Sequence, residues 1–255
     1  MNLAREWRLF QVALQYFTRL PVPPMREFDP AWLNQSARYF PLVGWVVGGL
    51  SALVFWLASD VWNGAIAAGL ALAVSALLTG AFHEDGLADS FDALGGSVDR
   101  ERALEIMRDS RIGSYGSLGL LLNTGLRWAA LASLAAGMGA LALLLLHPAA
   151  RGGAATLMGR LDYVRHDDSK AKPVATPQPA KALRWMLCWA LLPTALLGWF
   201  APLAALAGLL AVAAVHAWCR RWYRSRLGGY TGDALGACEQ LGETAYLLAF
   251  AAVAA

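Results

Sequence analysis

Residues 61–92 read VWNGAIAAGLALAVSALLTGAFHEDGLADSFD, an apolar run that leads directly into an acidic segment. A bilayer-spanning helix needs roughly 20 mostly apolar residues, and residues 61–82 satisfy that length. The segment that follows contains Glu84, Asp85, Asp89 and Asp92. The stretch therefore predicts a membrane helix that opens onto a row of carboxylates.

The composition of the whole chain is that of a membrane protein. Of its 255 residues, 58% are hydrophobic and 15% are charged, whereas a soluble domain usually carries about 25% charged residues. The three cysteines are scattered and form no pair typical of a disulfide framework or a zinc site. The net charge of +3 is small, and no nucleic-acid partner is expected. These properties predict an all-α, polytopic integral membrane protein with one membrane-embedded domain, residues 1–255.

Seven apolar stretches are long enough to be spans, although the third and fourth could instead be one broken helix. Lys and Arg are concentrated in the long segments between them, and the short connectors at 59–60, 137 and 201 contain none. The positive-inside rule then places the long segments, including 1–38, 83–116 and 220–240, in the cytoplasm. The predicted spans are about Phe40–Ala58, Val61–Phe82, Ser117–Ala136, Met138–Met158, Leu183–Phe200, Pro202–Cys219 and Leu241–Ala255.

Two local patterns refine this topology. Apolar residues near the N-terminus, from Leu3 to Phe17, fall at helical spacing with arginines among them, which predicts an interfacial amphipathic helix or one packed on the bundle. Gly44 and Gly48 are four residues apart in an apolar stretch, which predicts close helix packing.

The acidic segment has the spacing of a helical metal site. Asp85, Asp89 and Asp92 stand at i, i+4 and i+7 and share one helix face. Carboxylates this close repel one another, and a divalent cation such as Mg²⁺, which takes oxygen ligands, removes the conflict. Glu84 points to another face. The alternative is a solvated acidic helix cap, but Leu87 and nearby apolar residues line the opposite face, which favours the metal site.

Two further segments supply polar groups. Asp109, Ser110 and Arg111 precede Gly113, and together they are typical of a corner that binds phosphate and metal, because Arg offers a bidentate fork to phosphate oxygens. Before that corner, Asp99 is a candidate N-cap. Alternatively, the corner is only a charged helix face.

A glycine-rich segment, residues 226–243, contains further candidates. Thr231 and Asp233 lie in its predicted turn, where Thr231 could equally serve only as a helix N-cap. Glu243 enters the last span, and Arg127 and Arg151 lie within others; ionisable groups inside a membrane are functional candidates by default. For the two arginines, snorkelling or a buried pair is an equal alternative.

Five segments together resemble the cobalamin synthase family, the adenosylcobinamide-GDP ribazoletransferases. The resemblance extends in order over nearly the whole chain, and it implies a Mg²⁺-dependent enzyme of the bacterial cytoplasmic (inner) membrane with its active site on the cytoplasmic side. The segments are TRLPVP (18–23), YFPLVGWVVGG (39–49), HEDGLADSFDALGG (83–96), EIMRDSRIGSYG (105–116) and GGYTGDALGACEQLGE (228–243).

The resemblance implies a reaction and roles for the candidate residues. Adenosylcobinamide-GDP would react with α-ribazole, or its 5′-phosphate, to give adenosylcobalamin or its phosphate and GMP, with other corrinoid-pathway enzymes as expected partners. One or two Mg²⁺ ions would be held by Asp85, Asp89, Asp92 and Asp109. Asp92 or Asp109 would accept the proton of the attacking hydroxyl. The substrate would be contacted by Ser110, Arg111, Gly113, Arg151, Thr231, Asp233 and Glu243.

Two other classes remain as alternatives. A CDP-alcohol phosphotransferase also uses aspartates at helical spacing, but its pattern requires an Arg after the Ala of the DG segment, and Asp89 follows Ala88 here. A divalent-cation transporter would need polar residues deep inside several spans, and the first, second and sixth spans have almost none.

Overall fold

The computed structural model describes residues 3–25, 27–97, 99–109, 111–164 and 178–255. Within these ranges the chain is helical, with short links, 3-10 turns at Ala37–Tyr39 and Gly198–Phe200, and one isolated bridge between Tyr163 and Tyr230. The all-α prediction is confirmed. The α-helices are α1 Leu3–Phe17, α2 Ala31–Ser36, α3 Phe40–Ser59, α4 Gly64–Thr79, α5 Phe82–Gly96, α6 Arg100–Ile106, α7 Ser114–Ala132, α8 Ala136–Met158, α9 Ala180–Leu197, α10 Pro202–Leu227 and α11 Gly232–Ala254.

The helix α8 forms the centre of the bundle, and α3, α9, α10 and α11 pack around it. Its contact with α3 is close enough to involve the backbones. A Cβ on Gly44 would lie 2.8 Å from Pro148 N, and one on Gly48 would lie 2.7 Å from Leu143 O. The packing role predicted for these two glycines is confirmed. Residues 133–135 separate α7 from α8, so the predicted third and fourth spans fall on two helices.

Four of the described helices are long and apolar enough to cross a membrane, and a bent helix pair would make a fifth. The protein is thus a multi-pass membrane protein by composition, but the count of seven spans is not confirmed. The predicted third and seventh spans fall on α7 and α11, whose buried polar residues, such as Arg127 and Glu243, lower their hydropathy. The four helical segments are Ala31–Ser59, Ala136–Met158, Ala180–Phe200 and Pro202–Leu227.

The bent pair is α4 and α5, which meet at 90°. The chain turns at Gly80 and Ala81, whose φ angles are 65° and 57°, in the left-handed region. The predicted span Val61–Phe82 therefore ends earlier, at Thr79, and the acidic segment begins a new helix at Phe82. Beyond the corner, α5 packs against α7 and α11, so the corner directs the acidic helix across the bundle.

The N-terminal helix α1 is present as predicted, with an apolar and a polar side. Leu9, Val12 and Ala13 are buried against the bundle, while Arg5, Arg8 and Gln15 are exposed. Its contacts are with α2 and α3. These contacts agree with packing on the bundle, and its location at a membrane interface stays a prediction.

The corner generates a stability prediction. Gly80→Ala places a side chain in the left-handed region, which costs about 1–2 kcal/mol, and its Cβ would lie 2.5 Å from Arg19 Nε. We expect the thermal unfolding midpoint of the purified protein to fall. Gly125→Ala is the matched control, because a Cβ there meets nothing within 4 Å. Equal midpoints for the two variants would contradict a strained corner.

Candidate active site

The acidic helix α5 presents its carboxylates to more than one neighbour. Asp85 is exposed and Asp89 and Asp92 are half-buried. Glu84 turns toward α11 instead, where Gln240 Nε2 donates a hydrogen bond to Glu84 Oε1 at 3.3 Å. The helical spacing of the aspartates and the separate direction of Glu84 are therefore as predicted.

Asp92 anchors the segment that leads into α7. Its Oδ2 accepts a hydrogen bond from Gly113 N at 2.7 Å, and its Oδ1 accepts one from Gly116 N at 2.8 Å. A Cβ on either glycine would collide with this carboxylate, so both positions require the absence of a side chain. The negative charge also lies at the N-terminus of α7, where the helix dipole stabilises it. The Asp92 contacts thus join the acidic helix to the corner after residue 109.

Asp109 and Arg111 form an exposed pair in that corner. Arg111 Nη2 lies 2.6 Å from Asp109 Oδ2, and Arg111 Nε donates to both carboxylate oxygens. Hydrogen bonds from Arg111 lower the pKa of Asp109 to about 2, so this carboxylate is a weak proton acceptor. Ser110, the third residue of the predicted corner, lies outside the described residues. Asp99 is confirmed as the N-cap of α6, since its Oδ1 accepts from Arg102 N at 2.8 Å.

Thr231 and Asp233 begin α11 beside the acidic helix. Thr231 is fully buried, and its Oγ1 accepts from Ala234 N at 3.1 Å, so it is an N-cap, one of its two predicted roles. Asp233 is half-buried, and a Cβ on Gly86 would lie 2.8 Å from its backbone oxygen. Gly86 therefore allows α5 and α11 to touch at this point. Burial, followed by nearby Tyr163 and Asp233, raises the pKa of Tyr16 to about 12, which keeps its hydroxyl protonated beside Asp233.

Glu243 lies in a buried polar network inside the bundle. Its carboxylate is 2.6 Å from Arg127 Nη2, 2.6 Å from His147 Nδ1 and 3.3 Å from Arg151 Nη1. All four side chains are at most 5% exposed. Arg151 and Glu243, predicted to contact substrate, are therefore engaged with each other. For Arg127 and Arg151 the buried-pair alternative is confirmed.

Glu239, which the sequence reasoning missed, extends this network toward the acidic helix. Its Oε1 is 2.9 Å from Arg151 Nη2 and its Oε2 is 2.9 Å from His83 Nε2. The two glutamates balance the two arginines in charge. Glu239 and Glu243 are four residues apart and thus share a face of α11. This spacing could have identified Glu239 as a partner of Glu243 from the sequence. A cavity of about 60 Å³ borders the network, with aromatic walls. It is lined in part by Tyr16, Phe17, Phe40, Phe82, His83, Arg151 and Glu239.

The described part of the chain contains no complete set of metal ligands supplied by the protein alone. No three His, Cys, Asp or Glu side chains there come together as a group that could hold a metal ion. This does not conflict with the chemistry of Mg²⁺, which often uses one or two protein carboxylates and completes its shell with waters and substrate phosphates. Asp85 and Asp89, one helical turn apart on α5, provide such a pair of oxygen donors.

These features define a multi-pass helical membrane protein in which the carboxylate-rich face of α5 lies beside the segment from Asp109 to Gly113. Residues 9–251 match the protein family described as Cobalamin-5-phosphate synthase. The chain belongs to that family, so the resemblance found in the sequence is confirmed.

Several relatives named adenosylcobinamide-GDP ribazoletransferase are similar to this chain. The one from Leptothrix cholodnii is 50% identical over 98% of this chain and 97% of the relative. The one from Shewanella piezotolerans is 43% identical over 96% of each chain, and the one from Ralstonia nicotianae is 43% identical over 92% of each chain. No solved structure matches the chain significantly.

The buried network generates a second stability prediction. Glu243→Gln keeps the shape of the side chain but leaves Arg127 and Arg151 undercompensated, and removal of one partner from a buried ion pair costs about 3–5 kcal/mol. We expect a large fall in the thermal unfolding midpoint. Glu105→Gln, which breaks an exposed pair with Arg102, is the control and should change stability by less than about 1 kcal/mol. If the Glu243→Gln variant has the same unfolding midpoint as this control, the buried ion pairs do not contribute measurably to the stability of the bundle.

Proposed function

We propose that the protein joins adenosylcobinamide-GDP to α-ribazole, or to α-ribazole 5′-phosphate, and releases GMP. The product is adenosylcobalamin or its phosphate, and the step is the late assembly of the nucleotide loop. The family match over residues 9–251 carries the proposal. The names of the relatives and the carboxylate-rich face support it. The same match disfavours a lipid-headgroup enzyme and a cation transporter.

The proposed setting is the bacterial cytoplasmic membrane, crossed about seven times, with the active site on the cytoplasmic side. The concentration of Lys and Arg in the long connecting segments supports this orientation. The amphipathic α1 would lie at the same interface. Other enzymes of the corrinoid pathway are proposed as partners that supply the substrates or take up the product.

Mg²⁺ is the proposed cofactor, and the acidic face is where it would bind. Asp85 and Asp89 are the proposed primary ligands, because they lie one helical turn apart on the same face of α5. Asp92 belongs to the same face of α5, and Asp109 precedes the segment that Asp92 binds, so both remain candidates for a second ion. When bound, Mg²⁺ would neutralise charge on the substrate diphosphate.

The protein's own groups would position the reactants and move one proton. A ribose hydroxyl of ribazole other than the 5′-hydroxyl, which is esterified in α-ribazole 5′-phosphate, attacks the phosphorus next to cobinamide. A new P–O bond forms, and the bond to the departing GMP breaks. Asp109 is a poor proton acceptor, because Arg111 lowers its pKa to about 2. Asp92, whose two oxygens each retain a lone pair beyond the bonds from Gly113 and Gly116, is the proposed proton acceptor.

The remaining candidates would serve the substrate in different ways. Arg111 is 87% exposed on its side chain and would donate from Nη1 to a substrate phosphate while Nε and Nη2 stay paired with Asp109. Ser110 and Gly113 remain proposed substrate contacts. Asp233 and Tyr16 would border the opposite wall. For Arg151, Thr231 and Glu243, burial supports a positioning role in the bundle rather than direct substrate contact. 

Turnover of purified protein tests the proposal directly. Adenosylcobinamide-GDP and α-ribazole, supplied together with Mg²⁺, should yield GMP and adenosylcobalamin, measured by chromatography. Chelation of the metal with EDTA should stop the reaction, and Mg²⁺ should restore it. Folded protein that forms no GMP would refute the assignment. Release of CMP from CDP-diacylglycerol and an alcohol would instead indicate a lipid-headgroup enzyme.

The acidic face has its own test in Asp89→Asn, which removes a charge and keeps the side-chain shape. We expect GMP formation to fall by about 100-fold or more, as when one group that stabilises transition-state charge is lost, while the protein stays folded and inserted in the membrane. Glu101→Gln on the neighbouring helix α6 removes the same charge from an exposed position and should leave turnover unchanged. If the Asp89→Asn variant retains most of its activity, the proposed metal role of this face is wrong.

A further inference from the structure

A groove of about 290 Å³ lies on the side of α8 away from the acidic helix. Its floor is α8, and its walls are α9 and α10, which both pack on α8 but hardly on each other. The wall residues Leu187 and Leu191 are 40% and 47% exposed, so the groove is open sideways between two apolar helices. In a membrane protein that side faces lipid. Its lining is Ala149, Gly152, Gly153, Thr156, Arg160, Leu187, Ala190, Leu191, Leu209, Val212, Ala213, His216, Ala217 and Arg220.

The groove is charged at one end only. Arg160 follows the C-terminus of α8, and Arg220 lies in the last third of α10, so both are at the same end of the bundle. Arg160 is exposed and Arg220 is half-buried. Within the described part of the chain, neither guanidinium has a carboxylate within ion-pair distance. Two arginines at the mouth of an apolar groove are complementary to a phosphate attached to an apolar chain.

The length of the groove matches one leaflet of a bilayer. Along α10 it extends from Arg220 down to Leu209, which is about 16 Å at 1.5 Å per residue. Half the hydrocarbon thickness of a typical bilayer is about 15 Å. An acyl chain whose phosphate lies at the arginines would therefore follow the groove to about the bilayer midplane.

The α10 wall of the groove contains an unpartnered polar atom. His216 is 4% exposed, and its Nε2 donates to Cys238 O at 3.1 Å, because a carbonyl oxygen only accepts. Its Nδ1 has no hydrogen-bond partner among the described residues and faces Gly153, where a Cβ would collide with the ring. A buried acceptor without a donor costs free energy.

We propose that this groove binds one anionic phospholipid, with its phosphate between Arg160 and Arg220 and one acyl chain along α8 between α9 and α10. The lipid would fill the gap that α9 and α10 leave, and would thereby fix α9 against the central helix. The acidic face and the corner after residue 109 lie on other helices, so the lipid site is separate from the proposed active site and does not depend on the proposed reaction.

Native mass spectrometry of the detergent-purified protein tests the site. The protein is mixed with equal amounts of phosphatidylglycerol and phosphatidylcholine that carry the same acyl chains. We expect one phosphatidylglycerol to be retained preferentially. The double variant Arg160→Gln/Arg220→Gln should lose that preference by about 30-fold, as expected for two basic residues facing an anionic lipid. Ala213→Phe, which places a ring in the groove from an exposed position, should reduce retention of both lipids.

Arg221→Gln is the matched control, because it removes the same charge from the adjacent residue, which does not line the groove. It should retain the preference of the unmodified protein. Equal retention of the two lipids by the unmodified protein, or an equal loss in the Arg221→Gln variant, would overturn the proposal. Displacement of phosphatidylglycerol by inorganic phosphate or by adenosylcobinamide-GDP would also overturn it, by showing that the groove binds a soluble phosphate. No turnover is measured, so the outcome is independent of the proposed function.

Discussion

Two carboxylates on α11 lie between two arginines in the interior of an apolar helix bundle, and the arrangement of the surrounding helices depends on them. Glu243 contacts Arg127 of α7 and Arg151 of α8, and Glu239 contacts Arg151 and His83 of α5. An unpaired charge in such an environment is costly, whereas a paired one restricts its neighbours to a narrow geometry. The network therefore ties α5, α7 and α8 to one face of α11.

The same helix then positions the candidate active site. Gln240, between the two glutamates, contacts Asn123 and Arg127 of α7 and Glu84 of α5. Near its N-terminus, at Asp233, α11 meets Gly86 of α5. On the far side of α5, Asp92 binds the start of α7. The acidic helix is thus fixed at two places: His83 contacts Glu239 in the interior, and Asp92 accepts hydrogen bonds from backbone amides at the start of α7.

Much of the fold followed from the sequence because apolar runs and glycine spacing are local signals. The helical face of Asp85 and Asp89, the cap at Asp99 and the glycine pair Gly44 and Gly48 are each recognised from residues within a few turns of each other. The corner after Thr79 was missed because hydropathy does not report backbone direction. The apolar character of Ala81 and Phe82 continues past the point where φ becomes positive.

The partners of the site residues were harder to predict, since they come from distant parts of the chain. Glu243 and Arg151 were recognised as unusual, but their contact joins residues 92 positions apart. The same limit applies to Asp92, whose partners lie on a different helix. Spacing along one helix identifies which side chains share a face, but it does not indicate what that face meets.

The right-angled corner between α4 and α5 has a consequence for access. If α4 crosses the bilayer, a helix at 90° to it extends parallel to the membrane surface, and the aspartates on one of its faces then share one depth. Water-soluble reactants could approach all three aspartates from the aqueous side without entering the hydrocarbon. A membrane-anchored catalyst would in this way handle large polar molecules while only its scaffold is immersed in lipid.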